Sequence, residues 1–168
     1  MALSLKNPCK SPSDSYVTVT RMMMPMDANA AGNVFGGTIL GLIEETAWLA
    51  AIKHARCNLV TASIDRMDFL TPVHIGDMLR LEASVNYVHT TSMEVGVRVE
   101  AENPLTGEVR HAGTCFLTYV GLGRDRKPMV LPSLVPESDE EKRRCTEAEQ
   151  RQRERLLEMG KLPGRTRK

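Results

Sequence analysis

The sequence predicts an α+β domain: an antiparallel sheet curled around one long central helix, with an additional helix at the C-terminus. Three observations predict it. Residues 38–52 are apolar at Ile39, Leu40, Leu42, Ile43, Ala47, Trp48, Leu49, Ala50, Ala51 and Ile52, on more sides than a surface helix shows, so this helix is expected in the interior. Residues 78–89 and 92–103 alternate apolar and polar at a period of two, the pattern of strands with one buried face. The main body holds a single such helix, which leaves the sheet to cover it.

Residues 1–14 are polar and rich in Pro and Ser, and read as a disordered lead-in. The domain proper is read as residues 15–122. Tyr16 to Met23 is β-branched and weakly alternating, a first strand. The run Met22-Met23-Met24 suits either core packing or a binding surface. From Pro25 a polar, glycine-bearing loop becomes helical after Gly36-Gly37 and ends near Ala55-Arg56. Leu59 to Phe69 reads as a second strand, and Thr71-Pro72-Val73-His74-Ile75-Gly76-Asp77 as a turn-bearing connection. Met78 to His89 puts Leu79, Leu81, Ala83, Val85 and Tyr87 on one face; Ser92 to Asn103 does the same with Met93, Val95, Val97, Val99 and Ala101. Asn103-Pro104-Leu105-Thr106-Gly107 is a hairpin signal, and Val109 to Val120 is a last strand covered on both sides. Strand, long helix, then four strands in a mainly antiparallel meander make the arrangement called the hotdog fold. Residues 123–136 follow as a Pro-punctuated linker, 137–160 as a charged helix and 161–168 as a disordered basic tail. On that helix Glu140/Arg144, Glu147/Arg151 and Glu149/Arg153 stand four apart in the favourable order.

A chain of 168 residues with 42% hydrophobic content supports one domain with a core. A formal charge of +1 gives no field that draws nucleic acid or an anionic membrane. Cys9, Cys57, Cys115 and Cys145 lack C-x-x-C pairing and disulfide-scaffold spacing, and read as free thiols in a reducing compartment. No stretch has the length of a signal-peptide core or a membrane span, so a soluble, cytoplasmic protein without membrane insertion is expected. Histidines 54, 74, 89 and 111 show no metal-ligand spacing, and no nucleophile elbow, P-loop or dinucleotide fingerprint is present. No metal or cofactor is expected.

The long helix carries the chemistry. Glu44 stands among Leu40, Ala47, Trp48 and Ala51, on an apolar face. A carboxylate there is either paired or put to work, because unpaired burial is costly and an apolar surrounding favours the protonated form of any carboxyl. At the helix start, Gly36 and Gly37 either relieve crowding or open backbone N–H groups to an oxyanion. Glu44 lies seven residues past Gly37, about 10 Å along the axis. A base and an oxyanion donor from different subunits would meet at one carbon more easily than two from one chain.

PMDANAAGNVFGGTILGLIEETA, VTASIDRMDF, TTSMEV, NPLTG and LVPESDEEKRR, in this order, resemble the hotdog-fold acyl-CoA thioesterases, in particular the cytosolic long-chain (brain-type) hydrolases. The resemblance spans residues 17–159. It implies hydrolysis of medium- to long-chain acyl-CoA, with Asn29 of the A-N-x-x-G-N segment and Glu44 as catalytic residues contributed across a dimer interface. Glu44 would serve as general base or, through an anhydride, as nucleophile. The resemblance further implies coenzyme A contacts at Ala62, Ser63 and Ile64, at Thr91, Ser92 and Met93, and at Arg151, which alternatively pairs with Glu147. The expected partners are the acyl-CoA substrate and further copies of the chain, as a homodimer or a trimer of dimers, with no nucleic acid. Two rivals are a non-catalytic acyl-CoA-binding subunit, against which retention of both Asn29 and Glu44 argues, and a dehydratase, whose His/acid pair finds only His54 in the organising segment.

Overall fold

The computed structural model describes residues 9–158 and residue 160. The expectations for residues 1–8 and 161–168 fall outside them. In chain order the elements are α1 (Pro12–Ser15), β1 (Val17–Met22), a 3-10 turn (Pro25–Asp27), α2 (Gly36–Ala55), β2 (Asn58–Ile64), β3 (Met78–Val88), β4 (Ser92–Glu102), β5 (Val109–Leu122) and α3 (Asp139–Glu158). The expected second strand stops at Ile64, and residues 65–70 are an irregular loop.

One five-stranded sheet runs β1-β3-β4-β5-β2, every pair antiparallel. This corrects the expected four-strand meander: β3, β4 and β5 follow one another, but β2 pairs with β5 at the far edge. The helix explains the crossing. At 1.5 Å per residue its 20 residues span roughly 30 Å, more than the roughly 19 Å across four inter-strand gaps, so α2 carries the chain from one edge to the other. Ile39, Ile43, Ala47, Ala50 and Ala51 meet Leu79, Leu81, Val95, Val97, Val99, Cys115 and Leu117 in the core. Small residues on the helix let a curled sheet approach it closely. Of the methionine run, Met23 is buried while Met22 and Met24 are exposed, as strand alternation dictates.

The helix was expected to be covered nearly all round; in this chain Trp48 and Leu49 remain 41% and 42% exposed. One sheet curls around one side, and among the described residues none covers Trp48 and Leu49 on the other.

The outer face of the sheet is covered too. α3 begins with Ser138 and Glu141 in reciprocal capping: the Glu141 N–H donates to Ser138 Oγ, and the Ser138 N–H donates to Glu141 Oε2 at 3.0 Å. Those backbone donors, Ser138 first, hold the Glu141 carboxyl below its ordinary range. Ala148 is fully buried against the domain, and Ser84 and Asn86, the polar side of β3, are buried beneath this layer.

The lead-in expectation fails over residues 10–14. Val135 donates to the Lys10 carbonyl at 2.8 Å, Lys10 Nζ caps the His54 carbonyl at 2.6 Å, and Ser15 Oγ accepts the Val85 N–H at 2.9 Å. A polar composition does not preclude order where helix-end carbonyls and a strand irregularity supply partners. Residues 129–135 are likewise tied down: Leu131 donates to Thr90 at 3.0 Å, and Pro132 accepts a bond from the buried His54 Nε2 at 3.0 Å.

Burial holds the His54 pKa below its ordinary value, opposed by the Pro132 hydrogen bond, with Lys10 and Asp14 as the facing charges. The folded chain therefore binds this proton less readily than the unfolded one. Stability from neutral His54 is complete above about pH 6.5, the unfolded value, and declines as pH falls toward the folded value. Replacing His54 with Gln, which still donates to Pro132 but does not titrate, is expected to shrink the loss of urea midpoint between neutral and mildly acidic pH relative to wild type.

Candidate active site

Glu44 is half-buried on α2, and Thr61 Oγ1 of β2 donates to its Oε1 at 2.7 Å. Immediately beneath, the Tyr119 hydroxyl donates to the Glu44 backbone carbonyl at 3.1 Å. Tyr119 is fully buried, and burial first, then the Glu44 charge, pushes its phenol well above the ordinary range. It stays a neutral donor. Trp48 and Leu49 border the carboxylate on its open side.

β2 has a bulge between Thr61 and Ser63. Thr61 lies opposite Tyr119, which faces the helix, whereas Ser63 lies opposite Thr118, which faces away. In a regular strand two residues apart share a face; the extra residue, Ala62, breaks that parity. The two hydroxyls thus serve opposite faces of the sheet. Ser63 Oγ donates to Asp65 Oδ1 at 3.0 Å, and Arg155 of α3 reaches both, at 3.3 Å to Ser63 and 3.2 Å to Asp65.

Arg151 sits one turn earlier on α3. Its partner is Glu94 of β4, bonded through Nε at 3.1 Å and Nη2 at 2.7 Å, and not Glu147, which Arg143 holds at 2.6 Å. The guanidinium also lies 3.7 Å from the centre of the Phe116 ring. The cation beside Ser63 is therefore Arg155, one turn further along the helix. Of the second expected coenzyme A segment, Thr91 and Ser92 are half-exposed with their carbonyls bonded to Gly121 and His89, whereas the Met93 side chain is in the core. Ala62 and Ile64 are exposed on the edge strand.

Asn29 stands in the loop before α2. Its Oδ1 accepts the N–H groups of Ala31 at 2.9 Å and Asn33 at 3.2 Å, so the loop engages the amide oxygen, and among the described residues the NH2 donor has no acceptor. Gly32 turns the loop at φ +82, a left-handed conformation that suits glycine. The loop hangs on Asp27, whose carboxylate takes Arg21 at 2.8 Å and whose carbonyl takes the Phe35 N–H at 2.8 Å. Both readings of the glycine pair have support. A Cβ on Gly37 would stand 2.5 Å from the Phe35 ring, and one on Gly36 would stand 3.3 Å from Phe69. Their N–H groups, in the first helical turn, find no acceptor among the described residues. Among those residues no bond joins Asn29 to Glu44: one chain brings Glu44, Thr61 and Tyr119 together and leaves Asn29 and Gly36-Gly37 at the other end of the site.

Residues 31–108 match the model of the thioesterase superfamily. An uncharacterised acyl-CoA thioester hydrolase of Bacillus subtilis is 42% identical over 142 residues, which cover 84% of this chain and 83% of that one. The chain belongs to this family. The mouse cytosolic acyl coenzyme A thioester hydrolase is another relative, 39% identical over 148 residues; the chain spans only 39% of its length, though 82% of its own. Among solved family structures, an apo-hexameric acyl-CoA thioesterase superposes with a TM-score of 0.87 at 40% identity, covering 90% of this chain and 97% of that one. An acyl-CoA hydrolase of Staphylococcus aureus, solved with butyryl coenzyme A, coenzyme A and coenzyme A disulfide, has a TM-score of 0.83 at 36% identity, covering 92% and 96%. That hydrolase has also been solved with one asparagine, one aspartate or one threonine replaced by alanine. The family's curled sheet, long helix and C-terminal helix are those found here.

Thr61 is the site residue that sequence reasoning missed. It lies 17 residues from Glu44, and its only signal was adjacency to Ala62-Ser63-Ile64 in the family segment. The Glu94–Arg151 pair was equally silent, although Glu94 belongs to the TTSMEV match.

The Glu94 side chain is 1% exposed, so its charge depends on Arg151. Replacing Arg151 with Met is expected to lower unfolding free energy by about 3 kcal/mol, the range for orphaning one member of a buried pair. Adding Glu94→Leu should recover most of that loss. Urea denaturation of the single and double variants measures both.

Proposed function

We propose that the chain hydrolyses medium- to long-chain fatty acyl-CoA to free fatty acid and coenzyme A, in a pocket shared between two copies. The observation that carries this reading is Glu44, held by Thr61 beside the exposed Trp48 and Leu49 on a helix face that the described residues leave open. Glu44 takes a proton from water as the water oxygen bonds to the thioester carbon. The carbonyl electrons move onto oxygen, where the Gly36 and Gly37 N–H groups of one copy meet them. Asn29 of the facing copy donates its amide N–H groups to water or substrate, its oxygen being engaged in its own loop. The tetrahedral intermediate collapses with cleavage of the C–S bond, and the proton passes to the departing thiolate. With the acid proton returned, Glu44 is ready for the next turnover.

Assembly as a homodimer is supported by the exposed Trp48 and Leu49 on α2 and by Val60 and Ile64 on the open edge of β2. A trimer of dimers is favoured by the hexameric thioesterase that this chain resembles. Exposed Phe35, Phe69 and Leu70 beside the start of α2 suit an acyl chain longer than butyryl. Ser63, Thr91 and Ser92 offer hydroxyls to the phosphates of coenzyme A. A cytoplasmic location accords with the relative named as cytosolic, and no described helix is long and apolar enough to cross a membrane.

Thiol release from butyryl-, octanoyl- and palmitoyl-CoA, followed with a thiol-reactive dye, tests the reaction and its chain-length range together. Higher kcat/KM for the two longer substrates is expected; binding without thiol release would make the protein an acyl-CoA-binding subunit instead. Glu44→Gln and Asn29→Ala are each expected to lower kcat by at least about 10²-fold with the fold intact by circular dichroism. Mixing the two variants is expected to restore part of the activity, because a mixed dimer rebuilds one intact site.

A further inference from the structure

The C-terminal helix touches the outer face of the sheet, while Glu44 lies against the inner one. One row of side chains nevertheless links them. Glu94 on β4, Thr118 on β5 and Ser63 on β2 are register neighbours. Glu94 and Ser63 are thus two strand spacings apart, roughly 10 Å. Arg151 and Arg155, one helical turn apart, straddle that row. Arg151 is locked onto Glu94 and Phe116, and Arg155 reaches over Thr118, whose buried hydroxyl finds no partner among the described residues, to Ser63 and Asp65. Arg155 is 19% exposed and Asp65 26%, so the bridge is largely shielded from solvent.

The far end of this bridge is the bulge that separates inward Thr61 from outward Ser63. A bulge at an edge strand has pairing on one side only, from β5, and its register is weakly held by hydrogen bonds alone. If β2 slid by one residue along β5, Ser63 would leave Arg155 and Thr61 would change faces, taking its hydroxyl away from Glu44. Ser63 and Asp65 lie just past the bulge on the C-terminal side, and Arg155 fixes both. We propose that Arg155 of α3 is a positioning residue for hydrolysis: through Ser63 and Asp65 it pins the β2 bulge, and so holds Thr61 in hydrogen-bonding register with Glu44. The C-terminal helix then acts on catalysis from the opposite face of the sheet. The inference rests on Glu44 being the catalytic base.

The test is a double-mutant cycle on the full chain, with kcat and KM for octanoyl-CoA measured in each variant. Arg155→Met keeps the aliphatic stem and removes the guanidinium. Its kcat is expected to fall about tenfold, as for a small displacement at a reacting centre, with KM within about twofold of wild type. In a Thr61→Val background the same substitution should lower kcat by less than about twofold, because the bond it protects is already gone. Asp65→Asn breaks the bridge with α3 unaltered, carries the same expectations, and decides the question if Arg155→Met cannot be isolated folded. Arg155→Lys, which retains the charge, should recover part of the lost kcat. An unchanged kcat, an equal loss in both backgrounds, or a rise in KM at constant kcat overturns the proposal; the last would make Arg155 a substrate contact. Failure of the underlying reading looks different: wild-type turnover by Glu44→Gln removes Glu44 as base, whatever Arg155 does.

Discussion

A carboxylate on an apolar helix is tolerable only if a neighbouring element donates to it, and here that donor is the Thr61 hydroxyl at 2.7 Å from Glu44 Oε1. Much of the structure follows from the need to deliver that hydroxyl. β2 must lie alongside α2, which requires the helix to carry the chain across the whole sheet before β2 begins. Thr61 must face inward, which its pairing opposite Tyr119 secures. Tyr119, fully buried, occupies the floor below and ties the Glu44 carbonyl to β5.

The same bulge sends Ser63 outward, where α3 waits. The two sides of the sheet are therefore chemically distinct. The inner side is largely apolar around the middle of the helix, where Thr61 and Tyr119 meet it. The outer side carries ion pairs, with Glu94 and Asp65 satisfied by Arg151 and Arg155. Buried charges of this kind add little net stability, since desolvation offsets their attraction, but their geometry is exacting. That makes them suited to holding a register.

How much of this could be read from the chain depends on the range of the interaction. Helix α2 and strands β3, β4 and β5 were legible because period and local turn signals act within a few residues. Gly36-Gly37, Asn29 and Glu44 stood out as candidates because the family segment is nearly continuous. Thr61 was not, because the hydrogen bond that gives it meaning spans 17 residues and a threonine in a strand is unremarkable. For Arg151 the alternative pairing with Glu147 fails: helical spacing offers Glu147, whereas the fold offers a buried Glu94 that outcompetes it. Residues 10–14 were expected to lack structure on composition, and acquire it from partners that arrive only after folding, the end of α2 and the backbone of β3.

The sequence by itself determined the fold class, the order of the elements and the identity of the acid on the long helix, since each rests on local periodicity or on one contiguous motif. The tertiary structure alone decided which strand brings a hydroxyl to that acid, which face each hydroxyl of β2 serves and which acid Arg151 and Arg155 meet. Those outcomes depend on crossover direction and on one inserted residue. Neither leaves a trace in the hydrophobic pattern, because a bulge changes the parity of a strand without changing its composition.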